Sequence, residues 1–195
     1  MTPSSANAAT GTPPGHRQRR HDPDRRERLI DVALAVIAEH GVAGTSHRRV
    51  AAAAEVPLGS MTYHFAGMDE LLEAAFTRLA EHAADAFDQA MMQARTPVEA
   101  VEAIVGLITG TVLNRREAMV ATYELYSLAA RRPEIRTITN AWMARSRRAL
   151  ERHFEPDTAL MLDALIEGLT IHRALSLKPM PVSTVREAVQ RIVAS

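Results

Sequence analysis

Apolar residues recur at helical spacing along most of this chain, and short breaks separate one run from the next. In the first run they stand three or four residues apart, which predicts an amphipathic helix that begins after Asp22-Pro23 and ends at Gly41. Its apolar positions are Leu29, Val32, Ala33, Val36 and Ile37. Since no later run alternates apolar and polar residues as a half-buried strand does, the pattern predicts an all-α fold.

Two short helical patterns follow this first helix. Ser46 can cap the first of them, which extends through Ala54, and Pro57 separates it from a second segment over residues 58–65. Two short helices joined by a three-residue turn, after a longer helix, form a helix-turn-helix unit. The sequence therefore predicts such a motif over residues 46–65, within a domain of residues 22–68.

The segments before and after this domain differ in character. Residues 1–21 contain three prolines and an Arg-rich run without apolar periodicity, which predicts a disordered basic arm. Residues 69–195 are expected to form a helical domain for effector binding and dimerisation, in which Pro97, Pro133 and Pro156 each stand at the start of a helical pattern. The helices predicted there are 69–93, 97–113, 115–131, 133–154, 156–176 and 183–194.

Composition narrows the classes of protein that fit. Hydrophobic residues make up 47% of the chain but aromatic residues only 4%, which favours packed helices over a β-sandwich. The absence of cysteine excludes disulfides, thiolate metal sites and a cysteine nucleophile. No apolar run resembles a signal peptide, and the uncharged apolar stretch from Ala103 to Asn114 is too short to span a bilayer, so we expect a cytoplasmic protein.

The formal charge is unevenly distributed although the net charge is zero. Residues 1–67 contain 8 Arg against 6 Asp and Glu, and the rest of the chain contains 15 basic against 17 acidic residues. Five of the eight His also lie in the first part. The N-terminal third is therefore modestly cationic, as a nucleic-acid-binding domain is expected to be.

One face of the second short helix is available to a partner. Since Met61 and Phe65 point inward, the other side chains face outward, and a helix of two turns fits the major groove of double-stranded DNA. Gly59, which lacks a Cβ, permits close approach to a phosphate. With the cap and arginines of the preceding helix, the candidate DNA-binding residues are Ser46, Arg48, Arg49, Leu58, Gly59, Ser60, Thr62, Tyr63 and His64.

This segment resembles the DNA-binding domain of the TetR family over roughly residues 24–76. The similarity rests on a short capped helix, a Val-x-x-Gly-Ser turn, a Tyr-His-Phe ending and a Leu-Leu helix start, at Ser46, Val56 to Ser60, Tyr63 to Phe65, and Leu71-Leu72. Tyr123 to Leu125, Arg131 to Glu134 and Trp142 are similar to a C-terminal variant in that family. The resemblance implies an Ω-shaped homodimer on a pseudo-palindromic operator, more often a repressor than an activator.

Several residues depart from the family pattern at positions that bear on DNA contacts. These are Glu55 where the turn usually has Gly, Pro57 in place of a Ser cap, Leu58 at a frequently polar position, Thr62 for a frequent Tyr, and Met68 for a phosphate-binding Lys. Arg49 stands where a capping-box Glu is common, so the reciprocal cap is lost. We expect Arg48, Arg49 and the basic arm to supply phosphate contacts instead.

Met and aromatic side chains in the predicted bundle favour a compliant pocket between helices, for a small and largely apolar effector. Each of them also fits an ordinary core position, and His172 also fits a satisfied core or interface histidine. The candidate pocket residues are Ile104, Leu107, Ile108, Thr111, Met119, Tyr123, Trp142, Met143 and His172.

The last two predicted helices carry more apolar surface than one small domain needs. Ala164 and Gly168, four residues apart, permit close helix approach, so we expect these helices to pair with their copies in a four-helix interface. The candidate interface residues are Leu162, Leu165, Ile166, Gly168, Leu169, Val185 and Val189.

Other readings of the sequence remain open at this point. The helix-turn-helix can be a mere corner between core helices, and the chain can be a helical ligand-binding or protein-interaction module without DNA-binding activity. An enzyme is not expected, because Gly59-Ser60 lacks the flanking glycine of a nucleophile elbow and no phosphate-binding glycine loop occurs. No cofactor is expected, and no metal, since the pairs His153 with Asp157 and Glu81 with Asp85 lack a third ligand.

Overall fold

A computed structural model describes residues 24–110, 115–178 and 180–194. Within these ranges the chain forms nine α-helices and no strand, which confirms the predicted all-α fold. The helices are α1 Arg25–His40, α2 His47–Ala53, α3 Leu58–His64, α4 Met68–Gln93, α5 Pro97–Thr109, α6 Arg116–Arg131, α7 Arg136–Leu150, α8 Pro156–Leu175 and α9 Val182–Val193. The predicted arm, residues 1–21, lies outside the described residues.

Two of the three prolines predicted to begin a helix do so, and the third lies in a turn before its helix. Pro97 and Pro156 are the first residues of α5 and α8, where the missing N–H is not needed by the helix. Pro133 instead opens a turn, because the N–H of Arg136 bonds to its carbonyl and α7 begins only at Arg136. The predicted helix 133–154 is therefore shorter at both ends, since residues 151–153 also form a turn.

A first hydrophobic core joins the three N-terminal helices to helices far along the chain. Phe65 and Phe76 are among its fully buried members, and Ala121, Leu125 and Leu128 of α6 pack into the same core. α6 contacts α1, and the first half of α4 packs beside both. The helix-turn-helix unit is thus not a separate globule that ends at residue 68; its core continues into the C-terminal helices.

A second hydrophobic core lies around α5, α8 and α9 and the ends of α4 and α7. Phe87 and Met91 of α4 enter it, together with Leu150 at the end of α7 and Leu162 of α8. The 26-residue helix α4 therefore contributes its first half to one core and its second half to the other. The two cores share this long helix, and a space between them is left for the cavity described below.

Membrane and metal signals are lacking in the described part of the chain. None of the helices there combines the length and apolarity needed to cross a membrane. The described residues also contain no group of three or more His, Cys, Asp and Glu side chains placed to hold a metal ion.

Candidate DNA-binding surface and ligand cavity

Helix α2 begins with a side-chain cap. The N–H of Arg49 donates to the Ser46 hydroxyl at 3.2 Å, which satisfies one of the helix's free N-terminal donors. A glutamate at position 49 would accept a hydrogen bond from the backbone N–H of Ser46, which Arg49 cannot do. The Arg49 guanidinium donates instead to the carbonyl of Gly44. Arg48, its neighbour, is exposed. The first turn of α2 therefore holds two arginines on the surface, one of them oriented by the preceding loop.

The turn between α2 and α3 is a Schellman motif with a glutamate at its left-handed position. The N–H of Glu55 bonds to the carbonyl of Ala52, and the N–H of Val56 to that of Ala51. Glu55 has φ 54°, a conformation that glycine adopts without strain and other residues reach at a cost of about 1 kcal/mol. Glu55 thus replaces the usual glycine without changing the type of turn, and the backbone is strained as a result.

Helix α3 presents one face to the core and one to solvent. Met61 and the following Phe65 are buried, whereas Leu58 is 48% and Tyr63 83% exposed. The Thr62 hydroxyl donates to the carbonyl of Gly59 at 3.2 Å, so only its acceptor capacity remains free for a partner. The orientation of the helix therefore agrees with the inward positions inferred from the i, i+4 spacing.

The candidate DNA-binding residues all lie on the surface of this unit. Seven of the nine are exposed, and Ser60 and His64 are half-buried. The rings of Tyr63 and His64 meet edge to face, 4.9 Å between centroids. Sequence reasoning missed Arg26, whose guanidinium lies 5.2 Å from the Phe65 ring centre and 3.6 Å from Glu70, because nothing in its spacing shows where α1 crosses α3.

A carboxylate from α6 joins the helix-turn-helix unit to the rest of the chain. The N–H of Val42 donates to Glu124 Oε2 at 3.0 Å. Gly41, just before it, ends α1 at φ 69°, and a Cβ there would come 2.9 Å from Glu124 Oε1. The loop after α1 is therefore fitted closely to α6.

A cavity of about 1000 Å³ lies between the two hydrophobic cores. Five helices form its wall, namely α1, α4, α6, α7 and α8, together with Arg115. Small side chains on α1 and α4 leave the space open, among them Ala35, Ala38, Ala83 and Ala86. Its volume is at the upper end of the range for small-molecule sites. The helix that opens the DNA-binding unit is thus itself part of the cavity wall.

The structure divides the predicted pocket residues into groups. Met119, Tyr123 and Trp142 line the cavity. For α5 the prediction is corrected, because its apolar face packs into the second core and does not reach the cavity; the residues concerned are Ile104, Leu107 and Ile108. Met143 and His172 are exposed and also lie outside the wall, and Thr111 lies outside the described residues.

Two carboxylates stand one helical turn apart on the α8 side of the cavity. Burial raises the pKa of Asp163, while Arg147, 3.3 Å away, lowers it. Burial also raises the pKa of Glu167, which accepts a hydrogen bond from the Tyr126 hydroxyl. Burial and the nearby Glu167 raise the pKa of Tyr126 and Tyr123 as well. The wall is therefore not purely apolar, and a charge in it is poorly solvated.

The predicted interface residues also separate by burial. Leu162, Val185 and Val189 are completely covered within this chain, and Ile166 is buried between the second core and the cavity. These four are corrected from interface to core positions, because α9 turns Val185 and Val189 toward α5 and α8 packs Leu162 and Ile166 into the second core. Leu165, Gly168 and Leu169 are half-buried. Neighbouring residues missed by the prediction, Met161, Ala164 and Leu175, extend an exposed apolar face along α8.

Both halves of the chain match family models. Residues 29–75 match the model described as bacterial regulatory proteins, tetR family. Residues 95–195 match the one described as tetracyclin repressor-like, C-terminal domain. The two matches together cover α1 from Leu29 to α4, and then α5 to the end of the chain.

Relatives with similar sequences and structures span nearly the whole chain. SCO7518 from Streptomyces coelicolor A3(2) is 48% identical, with a TM-score of 0.83 over 89% of this chain and 100% of that one. The multidrug binding protein EbrR, solved in complex with ethidium, is 35% identical, with a TM-score of 0.69 over 89% and 100%. The HTH-type transcriptional regulator BetI 1 of Chromohalobacter salexigens is 28% identical over 85% of this chain and 86% of that one.

Proposed function

This chain belongs to the TetR family of DNA-binding transcription regulators, and on that premise we propose that it is a repressor released from its operator by a small molecule. Two copies form the active homodimer, and their α3 helices enter two major grooves of a pseudo-palindromic operator. The ligand occupies the cavity between the two cores and favours a conformation in which the α3 helices no longer fit the DNA.

One observation carries the proposal: the cavity wall includes α1 of the DNA-binding unit as well as α6, α7 and α8. A ligand that touches α1 and α6 together acts on both sides of the contact between Val42 and Glu124. Differential affinity for two arrangements of these helices is what coupling between sites requires. EbrR, which is described as a multidrug binding protein and solved with several small molecules, supports a ligand-binding role for this chain.

The DNA-binding half of the proposal is supported by the exposed face of α3. Gly59 lies in a helical conformation where a Cβ meets no atom within 4 Å, so nothing in the described part of the chain requires glycine there. Since glycine costs a helix about 1 kcal/mol relative to alanine, its presence is explained by close approach of DNA to the backbone. Tyr63 and His64 stand on the same outward side and are assigned to contacts with the DNA.

The dimer is assigned to the outward face of α8. Met161, Ala164, Gly168 and Leu175 follow helical spacing along this face, and a Cβ at Gly168 meets no atom within 4 Å. A second copy covers these side chains when the two α8 helices cross. The charge-introducing variant Met161→Arg is expected to give monomers in light scattering at micromolar concentration, while Met92→Arg on exposed α4 leaves the dimer intact.

Selection of bound sequences from a random DNA pool tests the proposed function. The expected product is an inverted repeat whose half-sites lie about one helical turn apart, or farther if the dimer is wider. The recovered operator is then carried through mobility shift with the wild-type protein. A pool that shows no enrichment over the non-specific background contradicts the proposal and favours the alternative of a helical module without DNA-binding activity.

A further inference from the structure

The acidic groups of the cavity wall differ in whether a cation neutralises them. Asp31 accepts a hydrogen bond from Arg78 at 2.8 Å, and Asp163 has Arg147 at 3.3 Å. Glu167, on α8, has no basic side chain within ion-pair distance among the described residues. The charged group that acts on it most directly is Asp163, another carboxylate. This side of the cavity therefore holds two acidic groups and one guanidinium.

The basic residues of the same wall are all exposed. His82 and Arg116 line the cavity from α4 and α6, and Arg115 precedes α6, yet each of the three is open to solvent. Glu167 is half-buried, and its pKa is raised chiefly by that burial. An exposed cation at a cavity rim is screened by water and contributes little to a carboxylate inside. Glu167 is thus a poorly solvated acidic group in need of a counter-ion.

Aromatic side chains lie near this carboxylate. Tyr126 donates to Glu167 and packs on Trp142, with 6.1 Å between the ring centroids and 32° between the planes. Trp142 and Tyr123 line the cavity. The face of an aromatic ring attracts a cation, and a desolvated site strengthens the attraction. A carboxylate and aromatic faces on one side of a cavity complement an organic cation better than a neutral or anionic molecule.

Two hydroxyl groups give an independent sign of an absent ligand. Tyr123 and Thr170 both line the cavity, and their hydroxyl oxygens are buried without a hydrogen-bond partner among the described residues. Buried polar atoms in folded proteins are nearly always paired. Tyr123 interacts electrostatically with Glu167, and Thr170 lies three residues after Glu167 on α8. The polar side of the cavity is therefore incompletely satisfied within the chain.

We propose that the effector is an organic cation, with Glu167 as its counter-ion and the rings of Trp142 and Tyr123 against its body. This rests on the proposed function, since it names the ligand class of the same cavity. A volume of about 1000 Å³ suits a multi-ring or long-chain cation and is far larger than an inorganic ion requires. The expectation of a largely apolar effector is thereby refined: the body is apolar and the charge is positive.

Malachite green and its reduced leuco form test the assignment of charge. The two compounds have nearly the same size, but at pH 6 the dye is a cation and the leuco form is neutral; a higher pH is avoided because hydroxide converts the dye to a neutral carbinol. Calorimetry on the full-length wild-type protein is expected to show at least tenfold tighter binding of the cation. Equal affinity for the two forms overturns the proposal, and so does the absence of binding by both malachite green and ethidium.

The Glu167→Gln variant tests the assigned counter-ion. Glutamine keeps the shape and the acceptor oxygen for Tyr126 but removes the charge, so malachite green is expected to bind at least tenfold more weakly. Glu73→Gln, which removes an exposed carboxylate of α4 outside the cavity wall, serves as the matched control and leaves the affinity unchanged. Unaltered dye affinity in Glu167→Gln, or an equal loss in both variants, contradicts the assignment.

Operator binding measured beside dye binding separates this inference from the proposed function. If malachite green binds through Glu167 but leaves operator affinity unchanged, the proposed cation site is confirmed and the proposed release of the operator by ligand is wrong. If neutral compounds release the operator while neither malachite green nor ethidium binds, the proposed repressor function is confirmed and the proposed cation site is wrong.

Discussion

The DNA-binding surface and the cavity differ in how the chain builds them. The candidate DNA-binding residues lie between Ser46 and His64, where a cap, a Schellman turn and an i, i+4 pair decide every orientation. The cavity wall collects residues from Asp31 to Thr170 on five helices, and no local signal brings them together. A site made by local structure can be located from the sequence, whereas a site left open by packing depends on the whole fold.

The two regions also differ in the charge they are suited to bind. The helix-turn-helix surface presents Arg48 and Arg49 to an anionic partner. The cavity holds Glu167 without a basic neighbour at ion-pair distance in the described residues. In the proposed account one protein therefore recognises polyanionic DNA on its surface and a cation inside, and the two sites meet through α1 and α6.

The largest expected effect follows from removing side chains on the exposed face of α3. The double variant Tyr63→Ala, His64→Ala is expected to lose about thirtyfold or more in operator affinity, because each of the two contacts contributes about 1 kcal/mol or more and every 1.4 kcal/mol is a factor of ten. Dye affinity stays at the wild-type value, which sharpens the distinction between the two regions. Fluorescence anisotropy with labelled operator measures the loss, and Met92→Ala is the exposed control. Unchanged operator affinity would contradict the assignment of α3.

A smaller effect is expected from breaking the contact between the two regions. Glu124→Ala removes the acceptor of the Val42 N–H, which should lower the free energy of unfolding by about 1 kcal/mol and weaken the response of operator binding to ligand. Glu124→Gln keeps an acceptor oxygen and is expected to behave nearly as wild type. Urea unfolding measures the first effect. Identical midpoints for the alanine and glutamine variants would show that the contact has no role.

A substitution in the turn between α2 and α3 is expected to stabilise the protein, in contrast to the substitutions above. Glu55→Gly is expected to raise the free energy of unfolding by about 0.5–1 kcal/mol, since φ 54° costs glycine nothing. Ala53→Gly, two residues earlier and inside α2, should lower it by about the same amount. Thermal unfolding of both variants provides the comparison. A less stable Glu55→Gly protein would mean that the Glu55 side chain compensates for the backbone strain.

The pH dependence of stability is a further expected difference between the regions. Because burial raises the pKa of Glu167 above its ordinary 4.5, the folded protein binds the proton more tightly than the unfolded chain does. Protonated Glu167 therefore adds to the free energy of unfolding at pH values below 4.5. This contribution is lost as the pH rises through the pKa of the folded protein. Glu167→Gln should be more stable than wild type at pH 7, and the advantage should shrink towards pH 4.5.

The control for this experiment is Glu117→Gln, whose carboxylate is exposed. The other titratable groups near Glu167 are Asp163 on its own helix and Tyr123 and Tyr126 from α6, and Arg147 from α7 pairs with Asp163; both variants retain all of them. Urea unfolding between pH 4.5 and 8 measures the difference. A pH-independent gap between Glu167→Gln and wild type would exclude titration of this carboxylate as its cause.

Prediction from sequence was accurate where a helix decides a residue's surroundings by its own periodicity. The inward positions of Met61 and Phe65 follow from i, i+4 spacing, and Pro97 and Pro156 mark helix starts. Membership of the TetR family, inferred from the turn and the residues around it, is confirmed.

The sequence did not reveal which helices pack against one another. An apolar stripe on α5 is equally suited to a cavity or to a solid core, and its contacts with α4, α8 and α9 assign Ile104 and Ile108 to the core. Val185 and Val189 were expected at a dimer interface for the same reason, although α5 covers them. The cavity residues on α1 were missed because a helix of the DNA-binding unit was not expected to line a ligand site.

The most direct test of the account is a reciprocal measurement of operator and ligand affinity. Thermodynamic linkage requires that a ligand which weakens operator binding be weakened by the operator to the same degree. We expect saturating malachite green to lower operator affinity at least tenfold, equivalent to about 1.4 kcal/mol of coupling, and saturating operator to lower dye affinity by the same factor. Operator affinity that is identical with and without bound dye would contradict control of DNA binding from this cavity.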